Sequence, residues 1–379
     1  MSTSSPLFSP FRLRGVELSN RIVASPMWQY VGERGHPTDW HLMNLGRLAE
    51  GGVGLVIQEG TLIERRGCGT LGDIGIWDDA FVPGLTRLCS VIRANGSVPG
   101  IQIMHAGRKA RQKSPFEGRG PLEPERIDDE AAWELIAPSA IAVADGYPVP
   151  RAMTLADIET VQRAWVDAAR RADQAGHEVL NIHGGHGYLI AQFLSELSNL
   201  RDDAYGGSTT ARMRFVIEAI EGIRTVWPDH KPIMMRLSVV DNGWTLDDSV
   251  TLVKQLQKAG VDMIDCSSGG ITGSPLTAGA KAFQGYQVPY AAHLRAETGM
   301  PTMAVGLIVQ PAYAEQIVKD GSADLVAIAR ELIYNPNWPI DAAQKLGVDP
   351  TFTAARDRAR FWLERRAASV PGLKPSTFG

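Results

Sequence analysis

Four stretches of this chain repeat one local pattern: a helix closing on glycine, one or two small or polar residues, then a short apolar strand that stops on a polar residue. They run from Glu50 to Glu59, Ala175 to His183, Ala259 to Ser267 and Asp320 to Arg330. Glycine at a helix end takes the left-handed cap conformation that other residues resist. Short apolar runs separated by helices are parallel strands covered on their outer face. Ile22 to Met27, Gly100 to Met104, Ile233 to Ser238 and Thr302 to Val305 supply four more such runs, giving eight strands. Between them Thr154 precedes Asp157, and Thr245 precedes Asp248, at the spacing of a hydroxyl cap and its carboxylate. In the helix after Thr154, the residues Ile158, Val161, Trp165, Ala168, Ala172 and Ala175 recur on one face, which is a core stripe.

Eight alternating units, with no Gly-x-Gly-x-x-Gly after the first strand, favour an α/β fold of the closed (β/α)8 TIM-barrel kind over an open doubly wound sheet. An N-terminal β-hairpin is expected before the first strand. We expect one barrel domain over residues 1–379, with a rim insertion at 108–151 after the third strand and a C-terminal helical tail at 352–379. The insertion is rich in Pro, Gly and charge. Its place on the rim where barrels carry their chemistry marks it as a lid.

Composition narrows the partners. The chain has 38 basic against 42 acidic side chains, a net charge of −4, and so no reservoir of positive charge for a nucleic acid. The first residues lack a basic segment followed by an apolar one, and no later run is long enough for a membrane span, so a cytoplasmic protein is expected. Cys68, Cys89 and Cys266 are too few and too scattered for a disulfide framework or an iron–sulfur cluster; they are expected to be reduced.

In a barrel of this kind the site lies at the C-terminal ends of the strands. Gln102, His183, Arg236, Ser267 and Arg330 all fall there; each either satisfies a backbone group at the mouth or belongs to a site. The densest cluster is Asn181 to Leu189, where His183 and His186 stand three residues apart on a glycine-loosened turn with Tyr188 beside them. No His-Glu-x-x-His pattern or acidic partner accompanies the pair, so donation of hydrogen bonds to a substrate oxygen suits it better than metal binding. Gly306 after the seventh strand and Ala329-Arg330 after the eighth stand where barrels hold phosphate through backbone N–H groups and a cation.

These segments, in order and at compatible spacing from Leu7 to about Pro339, resemble the Old Yellow Enzyme family. The resemblance is carried by Pro26-Met27, Gln102 through Arg108, His183 through Leu189, Phe193 through Asp202, Tyr205 through Ser208, and Ala329 through Leu332. Within it, the chain is most similar to the bacterial, thermophilic-type subclass that includes the xenobiotic reductases.

The resemblance implies noncovalent FMN at the barrel mouth, reduced by NADPH or NADH. Position by position, it implies that Ser25, Pro26, Met27, Trp28 and Gly60 line the flavin, that Gln102 bonds its pyrimidine ring, and that Arg236 sits beside N1 and the C2 carbonyl. A guanidinium there would stabilise the charge of reduced flavin. It further implies that His183 and His186 bind the carbonyl oxygen of an α,β-unsaturated substrate and that Tyr188 supplies a proton to its α-carbon, in ping-pong kinetics. Tyr30 and Trp28 would complete the substrate pocket.

Two departures stand out. The subclass has Cys, and other members Thr, where this chain has Trp28. That indole either narrows the pocket and alters the flavin potential, or turns aside to form an aromatic wall with Tyr30. Relatives often end in an Arg that reaches a neighbouring subunit, and here Arg356, Arg358, Arg360, Arg365 and Arg366 crowd the tail without singling one out; a homodimer or homotetramer is the expectation that follows. Three scattered cysteines and the short tail after the barrel argue against the dienoyl-CoA reductase and trimethylamine dehydrogenase branch, whose barrel is fused to an iron–sulfur site and a further nucleotide domain. A flavin-free lyase or isomerase would want a strand-end Lys or a carboxylate with a metal. A specialised reductase or dehydrogenase of aromatic or N-heterocyclic compounds, and a flavin-binding protein without turnover, remain the alternative functions, and the choice of nicotinamide and the physiological direction stay open.

Overall fold

The computed structural model describes residues 5–127, 133–273 and 281–372; parts of the expected rim insertion and of the tail lie outside these. Eight parallel strands close into a barrel: β1 (Ile22–Ala24), β2 (Leu55–Leu62), β3 (Val98–Met104), β4 (Val179–Gly184), β5 (Ile233–Ser238), β6 (Met263–Ser267), β7 (Thr302–Ala304) and β8 (Leu325–Ile328). Pairing of Val326 with Ile22 and of Ile328 with Ala24 joins the last strand to the first. The helices that follow the strands in turn are α1 (Asp39–Glu50), α2 (Val82–Ala94), α3 (Leu155–Gln174), α4 (Leu189–Leu194) with α5 (Thr209–Arg224), α6 (Leu246–Ala259), α7 (Val288–Thr298), α8 (Pro311–Lys319) and the short α9 (Arg330–Tyr334). Helices α10 (Trp338–Lys345) and α11 (Asp357–Ser369) end the described chain.

The repeated unit folds as its sequence indicates, with one refinement. Gly176, Gly260 and Gly321 have positive φ, but in the first unit Gly51 is right-handed and Gly52 takes the positive φ of 98°. Helices α3 and α6 open on the expected capping boxes, Thr154 with Asp157 and Thr245 with Asp248. The stripe from Ile158 to Ala175 on α3 is buried throughout.

Strand alternation sorts the side chains. Ile22, Ala24, Val56, Ile101, Leu180, Ile182, Ile233, Met235, Ile264 and Val326 face outward into the layer of helices. Val23, Leu55, Ile57, Val179, Met234, Met263, Met303 and Leu325 fill the barrel interior at its lower end, packed against Leu13, Val16 and Leu18. Those last three come from the expected hairpin, Phe11–Leu13 paired with Val16–Leu18, which closes the bottom of the barrel. Two residues further along each strand the same inward face turns polar: Ser25, Gln102, Asn181, Arg236 and Asp265 follow Val23, Gly100, Val179, Met234 and Met263. The barrel is thus sealed with hydrocarbon below and lined with hydrogen-bonding groups above.

Candidate active site

Strand β2 outlasts its apolar run. A register shift between Gln58 and Thr61 interrupts its pairing with β3, and Gly60 sits in that irregularity. A Cβ at Gly60 would stand 2.5 Å from Met104 Sδ and 3.1 Å from Trp28 Nε1, so a side chain there would displace Met104 and crowd the indole. The indole of Trp28 donates from Nε1 to the Gly60 carbonyl at 2.8 Å. Its ring packs at 5.7 Å from that of Tyr30 and edge-on at 5.5 Å from that of Tyr188. Trp28 thus forms the aromatic wall with Tyr30 and, lining the inner chamber beside Gly60, narrows it as well.

Pro26, Trp28, Gly60, Gln102, Met104, His183, His186, Tyr188 and Arg236 enclose an inner chamber of about 130 Å3. The expected residues from β1, β2, β3, β4 and β5 are thus brought together. On its floor a chain of polar groups runs across the barrel: Gln102 Nε2 donates to Asn181 Oδ1 at 2.9 Å, Asn181 Nδ2 to Asp265 Oδ2 at 3.4 Å, and Arg236 Nη1 to Asp265 Oδ2 at 3.1 Å and Ser25 Oγ at 3.0 Å. Asp265 is fully buried, and burial raises its carboxyl above the usual range against the opposing pull of Arg236.

The histidines share one edge of the chamber. Gly185 N–H donates to His183 Nδ1 at 3.2 Å, which leaves the proton of a neutral ring on Nε2. That Nε2 lies 3.3 Å from His186 Nδ1, and His186 Nε2 lies 2.7 Å from Ser267 Oγ. Ser267 also accepts from Gln287 Nε2 at 3.2 Å, so its own proton is available to His186. Burial, with the nearby charge of Arg236, holds both imidazoles well below their ordinary pKa and therefore neutral. Burial raises the Tyr188 phenol, keeping it protonated, and raises that of Tyr30 to about 12. The Tyr188 ring stands edge-on to His183 at 5.0 Å.

A second cavity of about 390 Å3 shares His186 and Arg236 with the inner chamber and extends past Ser25, Gly306, Leu307, Ala329 and Arg330. Gly306, with φ of 112°, and the start of α9 at Arg330 border it, which is the disposition expected for a phosphate. Ser267 lines this cavity too. Cofactor-like groups fit this pair of spaces. Arg236 Nε is buried with no protein partner among the described residues, and an orphaned buried donor calls for an acceptor. A flat ring in the inner chamber and an anionic end near Arg330 would meet Gln102 and Arg236 at one end and backbone N–H groups at the other.

Several residues of the site escape a motif-based search. Asp265 lies opposite Arg236 in the β5–β6 register; the signal was a carboxylate inside an otherwise apolar strand. Glu59, buried beside His41 and accepting from Gln29 N at 3.1 Å, follows the same rule. Lys109 Nζ donates to the carbonyls of His186 at 2.7 Å and Gly270 at 2.5 Å, tying the histidine turn to the loop after β6. Among the tail arginines, Arg356 bonds Ala49 O and Ser97 Oγ at the lower end of the barrel, which removes it from any rim. All three cysteines are free and buried. No described helix is long and apolar enough to cross a membrane, and the described residues contain no group of three or more His, Cys, Asp or Glu able to hold a metal.

Comparison with known proteins agrees with this architecture. Residues 6–349 match the NADH:flavin oxidoreductase / NADH oxidase family. The chain is 42% identical over 361 residues to the NADPH dehydrogenase of Geobacillus sp. (strain WCH70), covering 94% of this chain and 98% of that protein. It is 43% identical over 347 residues to the NADPH dehydrogenase of Geobacillus thermodenitrificans (strain NG80-2), covering 90% and 95%. Among solved structures, morphinone reductase superposes with a TM-score of 0.74 at 23% identity, over 94% of this chain and 96% of that one, a likeness of fold. A 2-naphthoyl-CoA reductase superposes with a TM-score of 0.80 at 27% identity over 90% of this chain, which spans only 52% of that longer protein. The chain belongs to the NADH:flavin oxidoreductase, or Old Yellow Enzyme, family and is an FMN-dependent oxidoreductase that draws its electrons from NAD(P)H.

Proposed function

We propose that the protein is an ene-reductase, which saturates the C=C bond of an α,β-unsaturated carbonyl compound. The observation that carries this is the convergence of His183 Nε2 and His186 Nδ1, 3.3 Å apart, on the chamber that Tyr188 also lines. FMN, when bound, supplies the two-electron carrier between NAD(P)H and substrate. The Nε2 proton of His183 is fixed by the bond from Gly185. When Ser267 donates to His186 Nε2, the Nδ1 proton of His186 turns toward the same point. Two neutral N–H groups then hold a carbonyl oxygen and draw charge from its β-carbon, stabilising the negative oxygen that develops as the β-carbon is reduced. Tyr188, kept protonated by burial, gives its proton to the α-carbon.

Backbone atoms of Ser25 to Trp28 with Gly60, and side chains of Gln102 and Arg236, would hold the flavin ring; Gly306, Ala329 and Arg330 would hold its phosphate. The rim insertion at 108–151 serves as a lid of a single barrel domain, and the enzyme works in the cytoplasm as a homo-oligomer. The aromatic wall of Trp28, Tyr30 and Tyr188 also supports a reductase or dehydrogenase specialised for flat aromatic or heterocyclic compounds.

An anaerobic visible spectrum tests the proposal. The holoenzyme should bleach with NADPH or NADH and recolour on addition of 2-cyclohexenone. In Tyr188→Phe the bleaching should persist, while recolouring slows by about 10²-fold or more, the scale of general-acid catalysis. An enzyme that bleaches and is not recoloured by any enone is not an ene-reductase.

A further inference from the structure

Outside the histidines a wider chamber of about 340 Å3 opens toward solvent, sharing Trp28 and Tyr188 with the inner one. Three cations, Lys109, Lys113 and Arg119, line it, and none of its described lining residues is acidic. Acidic side chains outnumber basic ones in the whole chain, 42 to 38, so this wall runs against the composition. The nearby Asp73 is buried, and its oxygens accept from the backbone of Gly69 and Thr70 and from Thr70 Oγ1. Lys113 is held by Glu123 at 2.9 Å and Lys109 by two carbonyls, whereas Arg119 is exposed and makes no ion pair among the described residues. Arg119 lines the same chamber as the Tyr30 ring. At the inner end Lys109 Nζ lies 5.5 Å from the Tyr188 ring centroid, so positive potential extends from the rim to the reacting end. Such a field concentrates anions in a cleft.

We propose that the outer chamber binds a carboxylate of the substrate: the enzyme acts on a flat, conjugated carbonyl compound with an anionic group distal to the reacting carbonyl, and Arg119 with Lys113 recognises that charge. The inference rests on the ene-reductase reading only for placing the carbonyl at His183 and His186. Tyr30 and Tyr147 supply aromatic faces for the body of such a molecule between its two polar ends. Lys109, committed to its carbonyls, contributes field and not a direct bond.

Binding to the oxidised holoenzyme tests this without requiring turnover. The flavin band is followed during titration with 4-acetylbenzoate and with its neutral methyl ester. The acid should bind about tenfold more tightly at low salt, as expected of one or two partly exposed charge-assisted contacts. The advantage should shrink as salt is raised. It should fall to about twofold or less in Arg119→Gln, a substitution at an exposed loop position, and be reduced in Lys113→Gln. Equal affinity for acid and ester, or an advantage that survives in both variants, overturns the proposal. Rates of reduction by NADPH and NADH are compared in the same proteins; variants that slow NADPH alone, with the acid-to-ester ratio intact, would assign the cations to the reductant's phosphate and overturn it equally. Turnover is read separately with 4-(3-oxobut-1-enyl)benzoate and its methyl ester. If no enone, 2-cyclohexenone included, recolours the reduced enzyme, the ene-reductase reading fails, while the affinity ratio still decides the question of charge.

Discussion

Trp28 divides a space that a small side chain would leave continuous. Its indole lines both the inner and the outer chamber and is fixed by the bond to Gly60 and by the rings of Tyr30 and Tyr188. Trp28→Cys should merge the two chambers and raise kcat/KM for bulky enones several-fold relative to 2-cyclohexenone; unchanged rates together with an unchanged flavin potential would rule out a gating role. Asp265 acts at a different point. Its carboxylate lies 3.1 Å from Arg236 Nη1 and partly neutralises the guanidinium that faces the chamber. Asp265→Asn should leave Arg236 with a stronger net positive field and so stabilise reduced, negatively charged flavin. The midpoint potential should rise by about 30 mV or more, equivalent to ~1.4 kcal/mol for two electrons. Spectroelectrochemical titration of wild type and variant measures it, and a fall in potential would contradict this account.

At the level of elements, stability and site are separable. Thr245 caps α6 by accepting from Asp248 N–H at 3.2 Å, at an exposed position that lines none of the three chambers. Thr245→Ala should cost about 1 kcal/mol in urea denaturation and leave the flavin spectrum unchanged. Such caps were legible in the sequence because a capping box is a purely local pattern, and the eight strands were legible because each is a short apolar run fenced by a helix. The ends were less so: Ile22 to Met27 shortens to Ile22–Ala24, because the chain leaves the sheet to reach the chamber, and β2 continues past Glu59 through an irregularity that no periodicity reveals. Motif spacing brought His183, His186, Tyr188, Gln102 and Arg236 to one chamber because all sit at strand ends. Asp265, Glu59 and Lys109 were not singled out, since their partners come from other strands and loops and the contact exists only once the barrel closes. That Trp28 both joins the wall and narrows the chamber likewise depends on its bond to the carbonyl of Gly60, 32 residues away in sequence.

For the molecule as a whole, cofactor and fold are coupled. The upper barrel carries buried polar groups such as Arg236 Nε that lack partners among the described residues, so FMN should bind the folded state alone and stabilise it. At free FMN about 100 times its Kd the gain is ~2.7 kcal/mol, seen as a Tm that rises with FMN concentration; a Tm insensitive to FMN would argue against a preformed cleft. The hairpin carrying Leu13, Val16 and Leu18 has a further consequence. With the lower barrel packed by hydrocarbon, both the electron donor and the acceptor must approach from the rim. They have to queue for one doorway, and an acceptor that occupies it before the enzyme has been recharged blocks the next delivery. Initial velocity should therefore climb and then decline as enone concentration increases, and the decline should be relieved by more nicotinamide.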